Sequence, residues 1–200
     1  MSRPAAAPLP ARGTRRRGDA LLEAIYAAAL DELAEHGYAG LSIERIAERA
    51  HTGKASIYRR WPHRLELVLE SLDHSMPAFD EPPDTGRVRD DMLELMRRIA
   101  ATMNSRAGDA ARACMVNVGA DDELAVAVRE RLLPPRKAMV VEILRRGAQR
   151  GEVRPDAVTE RVAEVGPMLL HGEVVQRGTP VTDDAVVAIV DSVLMPLLRP

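Results

Sequence analysis

Apolar residues along this chain recur at three- and four-residue intervals rather than in alternation, the spacing that keeps one face of an α-helix dry. From Gly18 onward, Leu22, Ile25, Ala29 and Leu33 form one such face, and Gly37 can end it. Ser42 is placed to cap a short second helix with Ile43, Ile46, Ala47 and Ala50 on its inner face, although Arg45 stands where a capping box would carry Glu. His51, Thr52 and Gly53 read as a turn. Lys54 to Arg60 then makes a brief third helix, because Pro62 cannot continue it and instead opens a fourth over about residues 63–75. Pro77, Pro82 and Pro83 mark a linker.

Beyond the linker, Val88, Met92, Leu95, Met96, Ile99 and Met103 trace one helical face, followed by two shorter helices over residues 107–119 and 121–131. Pro134 and Pro135 are expected to open another, with Met139, Val140, Ile143 and Leu144 as its buried stripe. Thr159 to Gln176 follows, interrupted at Gly166-Pro167, and then Thr182 to Leu198. The expected fold class is all-α, about nine to ten helices, with no strand and no internal repeat. Three regions result: a disordered basic arm over residues 1–17, a helical unit over 18–76, and a larger helical domain over 77–200.

Composition sharpens this picture. Aromatic residues are only 2% of the chain, so the core must be built from aliphatic side chains, which suits packed helices. There is no apolar run of about eighteen residues and no signal-peptide pattern, so a cytoplasmic location without membrane association is expected. Cys114 has no cysteine partner and sits among Ala113, Met115 and Val116, the setting of a small buried hydrophobe. The net charge of −2 hides an asymmetry: residues 1–64 hold eleven Lys/Arg against seven Asp/Glu, and the rest hold seventeen against twenty-three. A basic end on an acidic remainder is what phosphate recognition requires.

The basic end also has the right geometry. No acid lies between Glu48 and Glu66, while Arg49, Lys54, Arg59, Arg60 and Arg64 are basic and Ser56 and Tyr58 add hydroxyl donors. Two short helices joined by a tight turn present the second to the major groove of DNA, with its first residues at the base edges. Catalysis has no matching constellation. His36, His51, His63, His74 and His171 are scattered without metal-ligand spacing, no phosphate loop or nucleophile elbow is present, and no cofactor is expected. A ligand-independent architectural DNA-binding protein would leave the long C-terminal helical region without a purpose.

These residues carry a resemblance. Ala34-Glu35-His36-Gly37-Tyr38, Leu41-Ser42-Ile43-Glu44-Arg45-Ile46-Ala47 and Gly53-Lys54-Ala55-Ser56-Ile57-Tyr58-Arg59-Arg60-Trp61-Pro62 resemble the DNA-binding domain of the TetR family of bacterial regulators, over about residues 18–70. More loosely, Arg150-Gly151-Glu152-Val153-Arg154 and Gly166-Pro167 resemble one class of ligand domains in that family. The resemblance implies that Ser42 caps the second helix and touches a phosphate, that Lys54, Ala55, Ser56 and Arg59 face the groove, and that Tyr58, Arg60 and Arg64 grip the backbone. Arg16 and Arg17 of the arm are expected to add DNA contacts. Arg59 can bond both O6 and N7 of guanine. Trp61 stands where the family usually has Phe, and is expected to seal helices one and four. His51 replaces a usual turn glycine, either as a tolerated residue at positive φ or as a phosphate contact.

Further expectations concern the C-terminal domain. A homodimer is expected through Val162, Val165, Leu169, Val186, Val190, Val193, Leu194 and Leu197, because a two-fold pair sets recognition helices about 34–36 Å apart on a double-stranded DNA operator. Met92, Met96, Met103, Met115, Met139 and Met168 either fill the core or line an adaptable pocket for a small, apolar ligand. The function expected is a transcriptional regulator, a repressor released from a palindromic operator by that ligand, or an activator of the same fold.

Overall fold

The computed structural model describes residues 12–75, 81–117 and 123–200, and these residues contain helices but no strand. The side chains of residues 12–17, 107, 113–117 and 136 are not part of the description, so the expectations for Arg16, Arg17, Cys114, Met115 and residues 1–11 of the arm lie outside it.

Helix α1 spans Arg12–Gly40, so it starts before the expected Gly18. Its regular geometry breaks at Gly37, where φ is 66° and ψ 175°, a conformation that a side chain would strain. Helix α2 (Ile43–Arg49) begins at Ser42, whose hydroxyl accepts the Arg45 N–H at 3.4 Å. The turn after α2 puts His51 at a φ of 49°, the left-handed conformation that favours glycine. Helix α3 (Lys54–Arg60) starts at Gly53 without a side-chain cap and ends at Trp61, one residue before Pro62. Its one buried residue is Ile57, so a single side chain seats the whole helix. Helix α4 (Arg64–Ser75) completes this unit.

The second half opens with α5 (Val88–Met103), whose Val88, Met92, Leu95, Met96 and Met103 are buried as the periodicity implies. Helices α6 (Arg106–Asn117) and α7 (Glu123–Ala127) follow. Pro134 and Pro135 stand in the first turn of α8 (Leu133–Gln149), as expected, and α7 leads into that helix through a π turn at Val128–Leu132. A proline lacks the N–H owed to the carbonyl four residues back and its ring crowds that carbonyl, and the wider π turn accommodates both defects. The last helical run repeats the device: α10 (Asp183–Ile189), a π turn at Val190–Leu194, and α11 (Met195–Leu198) with Pro196 in its first turn.

Helix α9 (Glu160–Arg177) corrects a second expectation, because it is continuous through Gly166-Pro167. The reason for Gly166 is packing. A Cβ there would lie 2.9 Å from Met96 Sδ and 3.0 Å from Leu194 Cδ1, so the glycine lets α9 approach α5 and the last helical run. The Arg150–Arg154 segment ties the same bundle together. Gly151 turns at a φ of 75°, Glu152 accepts the Val88 N–H at the start of α5, Val153 is buried, and the Arg154 N–H donates to the Leu198 carbonyl at 2.9 Å.

Two cores result, and they do not divide at the linker. The first joins α1–α4 and also takes Ala110, Leu124, Ala127 and Leu132 from α6, α7 and the π turn. The second joins α5, α8, α9 and the last helical run around Met96, Ile143, Leu170 and Val190. The run from α7 to α8 therefore belongs to both.

Candidate nucleic-acid interface

With Ile57 inward, α3 exposes Lys54, Ala55, Tyr58, Arg59 and Arg60, and leaves Ser56 half-buried. The basic patch is less bare than the sequence implies, because folding brings carboxylates to it, Glu44 and Glu70 among them. Glu44 on α2 accepts the Lys54 ammonium at 2.6 Å and the Ser42 hydroxyl at 3.2 Å. The Lys54 ammonium holds the Glu44 carboxyl below its usual range and is itself pushed up. Glu70 on α4 lies 3.3 Å from Arg60. Arg59 is not in an ion pair among the described residues; its guanidinium reaches Ser56 Oγ at 3.3 Å. Arg59 is thus the exposed cation of α3 with the least to give up on meeting an external partner.

The scaffold beneath is polar and specific. Trp61 is buried beside Tyr26, ring centroids 5.9 Å apart and edge-on, and donates its indole N–H to Glu70 at 2.7 Å. It seals α1 against α4. The Arg60 guanidinium stacks 5.2 Å from the same ring. Burial raises the Glu70 carboxyl, but bonds from Tyr26 and Trp61 and the nearby Arg60 outweigh it, and the net shift is downward. Tyr26 is pushed up to about 12 by burial and by that carboxylate.

A second buried polar group supports α2. Glu32 of α1 is fully buried and accepts the Ser42 N–H at 3.2 Å and Arg45 Nε at 2.6 Å, with Arg49 Nε at 3.8 Å. Helical spacing separates Glu32 from the exposed Glu35 beside it, since Glu32 lies seven residues after Ile25 and three after Ala29, on the dry side of α1. Glu32, Glu35 and His36 bring ligand-capable atoms within 4.8 Å of one another, but Arg45 and Arg49 already neutralise both carboxylates.

Between α2, α3 and the start of α4 lies a cleft of ≈ 510 Å³ lined by Ser42, Tyr58 and Arg64, the residues expected to hold phosphates. Its floor is Tyr38, with the Arg64 guanidinium 4.5 Å above the ring. Tyr38 donates its hydroxyl to Glu123 of α7 at 2.9 Å, and burial with this bond pushes Tyr38 up to about 12.

Elsewhere the structure redistributes the expected residues. Val186, Val190 and Leu194 are buried in the protomer's own core, which removes them from any surface for a partner. Val162, Val165 and Leu197 are half-buried, and Leu169 and Val193 are exposed. Met92 and Met96 line a cavity of only ≈ 10 Å³ with Val140, Leu144, Gly166 and Leu198. Met103 and Met139 are buried in the same core without lining that cavity, whereas Met168, 67% exposed, faces outward. Among the described residues no helix is long and apolar enough to cross a membrane.

This arrangement, a helix-turn-helix carried on a second helical core, defines a DNA-binding regulator. The model of bacterial regulatory proteins of the tetR family matches residues 25–70, and that of the tetracyclin repressor-like C-terminal domain matches residues 82–193. An uncharacterized HTH-type transcriptional regulator of Mycobacterium tuberculosis is 33% identical over 87% of this chain and 86% of its own. The DNA-binding transcriptional repressor TetR of Mycobacteroides abscessus is 32% identical over 92% of this chain and 97% of its own. Among solved structures, the TetR family transcription regulator SCO0332 superposes with a TM-score of 0.67 at 26% identity, covering 90% of this chain and 99% of the other. The chain belongs to the TetR family of DNA-binding transcriptional regulators, not to an enzyme family.

Proposed function

We propose that this regulator is a homodimeric repressor released from a palindromic operator when a small, largely apolar ligand binds its C-terminal domain. In this reading Lys54, Ala55, Ser56 and Arg59 enter the major groove, while Ser42, Tyr58, Arg60 and Arg64 hold phosphates. The carrying observation is that one helical run, α7 to α8, is packed into both cores. Any ligand that repacks the second core therefore acts on the unit that meets DNA. The methionine-lined cavity is far smaller than the ~300–1,000 Å³ of a typical ligand pocket, so a ligand must open it. A bound state that differs from the free one is what allows a ligand to shift an equilibrium. The M. abscessus relative is named a repressor, which favours that direction of control.

The dimer surface is proposed on α9 and the last helical run, where Met168, Leu169, Val175 and Val193 are exposed apolar residues. Fluorescence anisotropy on duplexes from the DNA flanking the gene, against random duplex and with a panel of apolar compounds, tests the reading. A repressor of this kind binds one flanking duplex selectively and loses it on adding one compound. Equal binding to random duplex would mark an architectural protein, and transcription that rises with occupancy would mark an activator.

A further inference from the structure

The phosphate cleft contains a group that a DNA-binding surface should avoid. Its walls are Ser42, Tyr58, His63 and Arg64, its floor is Tyr38, and the carboxylate of Glu123 forms part of its lining. Glu123 is 85 residues from Tyr38 along the chain and is held there by the 2.9 Å bond from the Tyr38 hydroxyl. The same ring carries the Arg64 guanidinium on its face. An exposed carboxylate at this corner repels a backbone phosphate that approaches Arg64.

Glu123 is also firmly mounted. The next residue, Leu124, is buried in the first core with Ala127 and Leu132, and Arg131 forms two 2.9 Å bonds to Glu66 of α4. From there the run passes through the π turn into α8, whose Met139, Val140, Ile143 and Leu144 lie in the second core. A carboxylate needed only to tether Tyr38 could come from α1 or α4. This one comes from the element shared by both cores.

We propose that Glu123 is a built-in competitor for DNA backbone phosphate at the Tyr38–Arg64 corner, so that the seating of α7 sets how tightly the helix-turn-helix holds DNA. The proposal rests on the phosphate role read for Ser42, Tyr58 and Arg64. It identifies an affinity-determining residue that lies outside the helix-turn-helix and belongs to the run that a repacked second core would move.

The test uses the full chain and a fluorescein-labelled random-sequence duplex, followed by anisotropy across a NaCl series. Glu123→Gln should bind about three- to tenfold more tightly than wild type at low salt, and the gain should shrink as salt screens the charge. Glu123→Asp keeps the charge and should stay near wild type. Glu130→Gln removes one exposed charge from the same helical run outside the cleft, and should change affinity by less than about twofold. Binding by Glu123→Gln that equals or falls below wild type, or a gain matched by Glu130→Gln, overturns the proposal. A purely structural tether predicts no gain, because the Gln amide oxygen still accepts the Tyr38 hydroxyl. Failure of the underlying phosphate reading has its own signature: Arg64→Ala would bind the duplex as tightly as wild type.

Discussion

Glu32 of α1 accepts the backbone N–H of Ser42 at 3.2 Å, so a fully buried carboxylate holds the residue that caps α2. The same carboxylate pairs with Arg45 and Arg49, and its Oε2 has no hydrogen-bond donor among the described residues. Glu32→Gln keeps an acceptor for Ser42 but removes the charge that both guanidinium groups face. The two arginines are partly exposed and can be hydrated, which limits the loss to about 1–3 kcal/mol. Urea unfolding should show a lower midpoint with an unchanged slope. An unchanged midpoint would mean that Glu32 is a bystander.

Glu70 gives the acid limb of stability a definite sign. Its carboxyl is depressed in the folded state, so the stability that it contributes is complete above the ordinary carboxylate value of 4.5 and is lost as pH falls below that value. Glu70→Gln should therefore flatten the fall in melting temperature below about pH 4.5 relative to wild type. At the alkaline end, Tyr26 and Tyr38 stay protonated to about 12 against a usual 10. Their contribution is present below 10 and lost as pH rises through 12. A spectrophotometric titration should show two late tyrosines, one removed by Tyr26→Phe and the other by Tyr38→Phe.

Much of the DNA-facing unit was legible because its signals are local. A cap at Ser42, a terminator at Gly37 and a stop at Pro62 each act within one turn of helix, and the structure places α2 and α3 accordingly. What was not legible is tertiary. Glu44 and Glu70 reach the basic patch only through folding, and Ala110 and Leu124 give no hint that they serve the first core. The stripe of Val186, Val190 and Leu194 was expected at a dimer surface and is buried in the protomer instead, because a periodic stripe does not say whether it faces its own chain or another.

Two glycines test how the second core is packed. A Cβ on Gly147 would lie 2.7 Å from Val153 Cγ2 and 3.1 Å from Val88 Cγ2, both on stiff β-branched side chains. A Cβ on Gly166 meets Met96 and Leu194, whose longer side chains can shift. Either Gly→Ala change gains up to about 1 kcal/mol of helix propensity. Gly147→Ala should nonetheless lose about 1–3 kcal/mol, while Gly166→Ala should be close to neutral. Thermal melts of the two variants decide; the reverse order would place the tighter contact at α9.

Arg59 and Arg60 are neighbours with different surroundings, and DNA binding should separate them. Arg59 is outside any ion pair among the described residues, whereas Arg60 is stacked on Trp61 beside Glu70. Arg59→Ala should lose about 1–3 kcal/mol on the operator and relax preference at one base pair. Arg60→Ala should weaken all duplexes alike and lower the salt slope by about one. Equal, sequence-independent losses for both would remove base reading from Arg59.

The proposed dimer can be tested only with residues that the protomer does not need. Glutamate at Val190 and Leu194 would place two carboxylates in the protomer core, so the chain would unfold whatever its partner does. Met168 and Val175 are 67% and 85% exposed and lie seven residues apart on α9, two turns along one face. Their replacement by glutamate leaves every buried contact of the protomer in place. In a two-fold interface each substitution meets its own copy or a near neighbour, so a double variant brings four carboxylates onto a surface that association would dry. Met168→Glu with Val175→Glu should therefore sediment as a folded monomer, with an unchanged helical circular dichroism spectrum. It should also bind operator far more weakly, because two recognition helices no longer act on one duplex. An intact dimer in this variant would move the interface off the exposed face of α9.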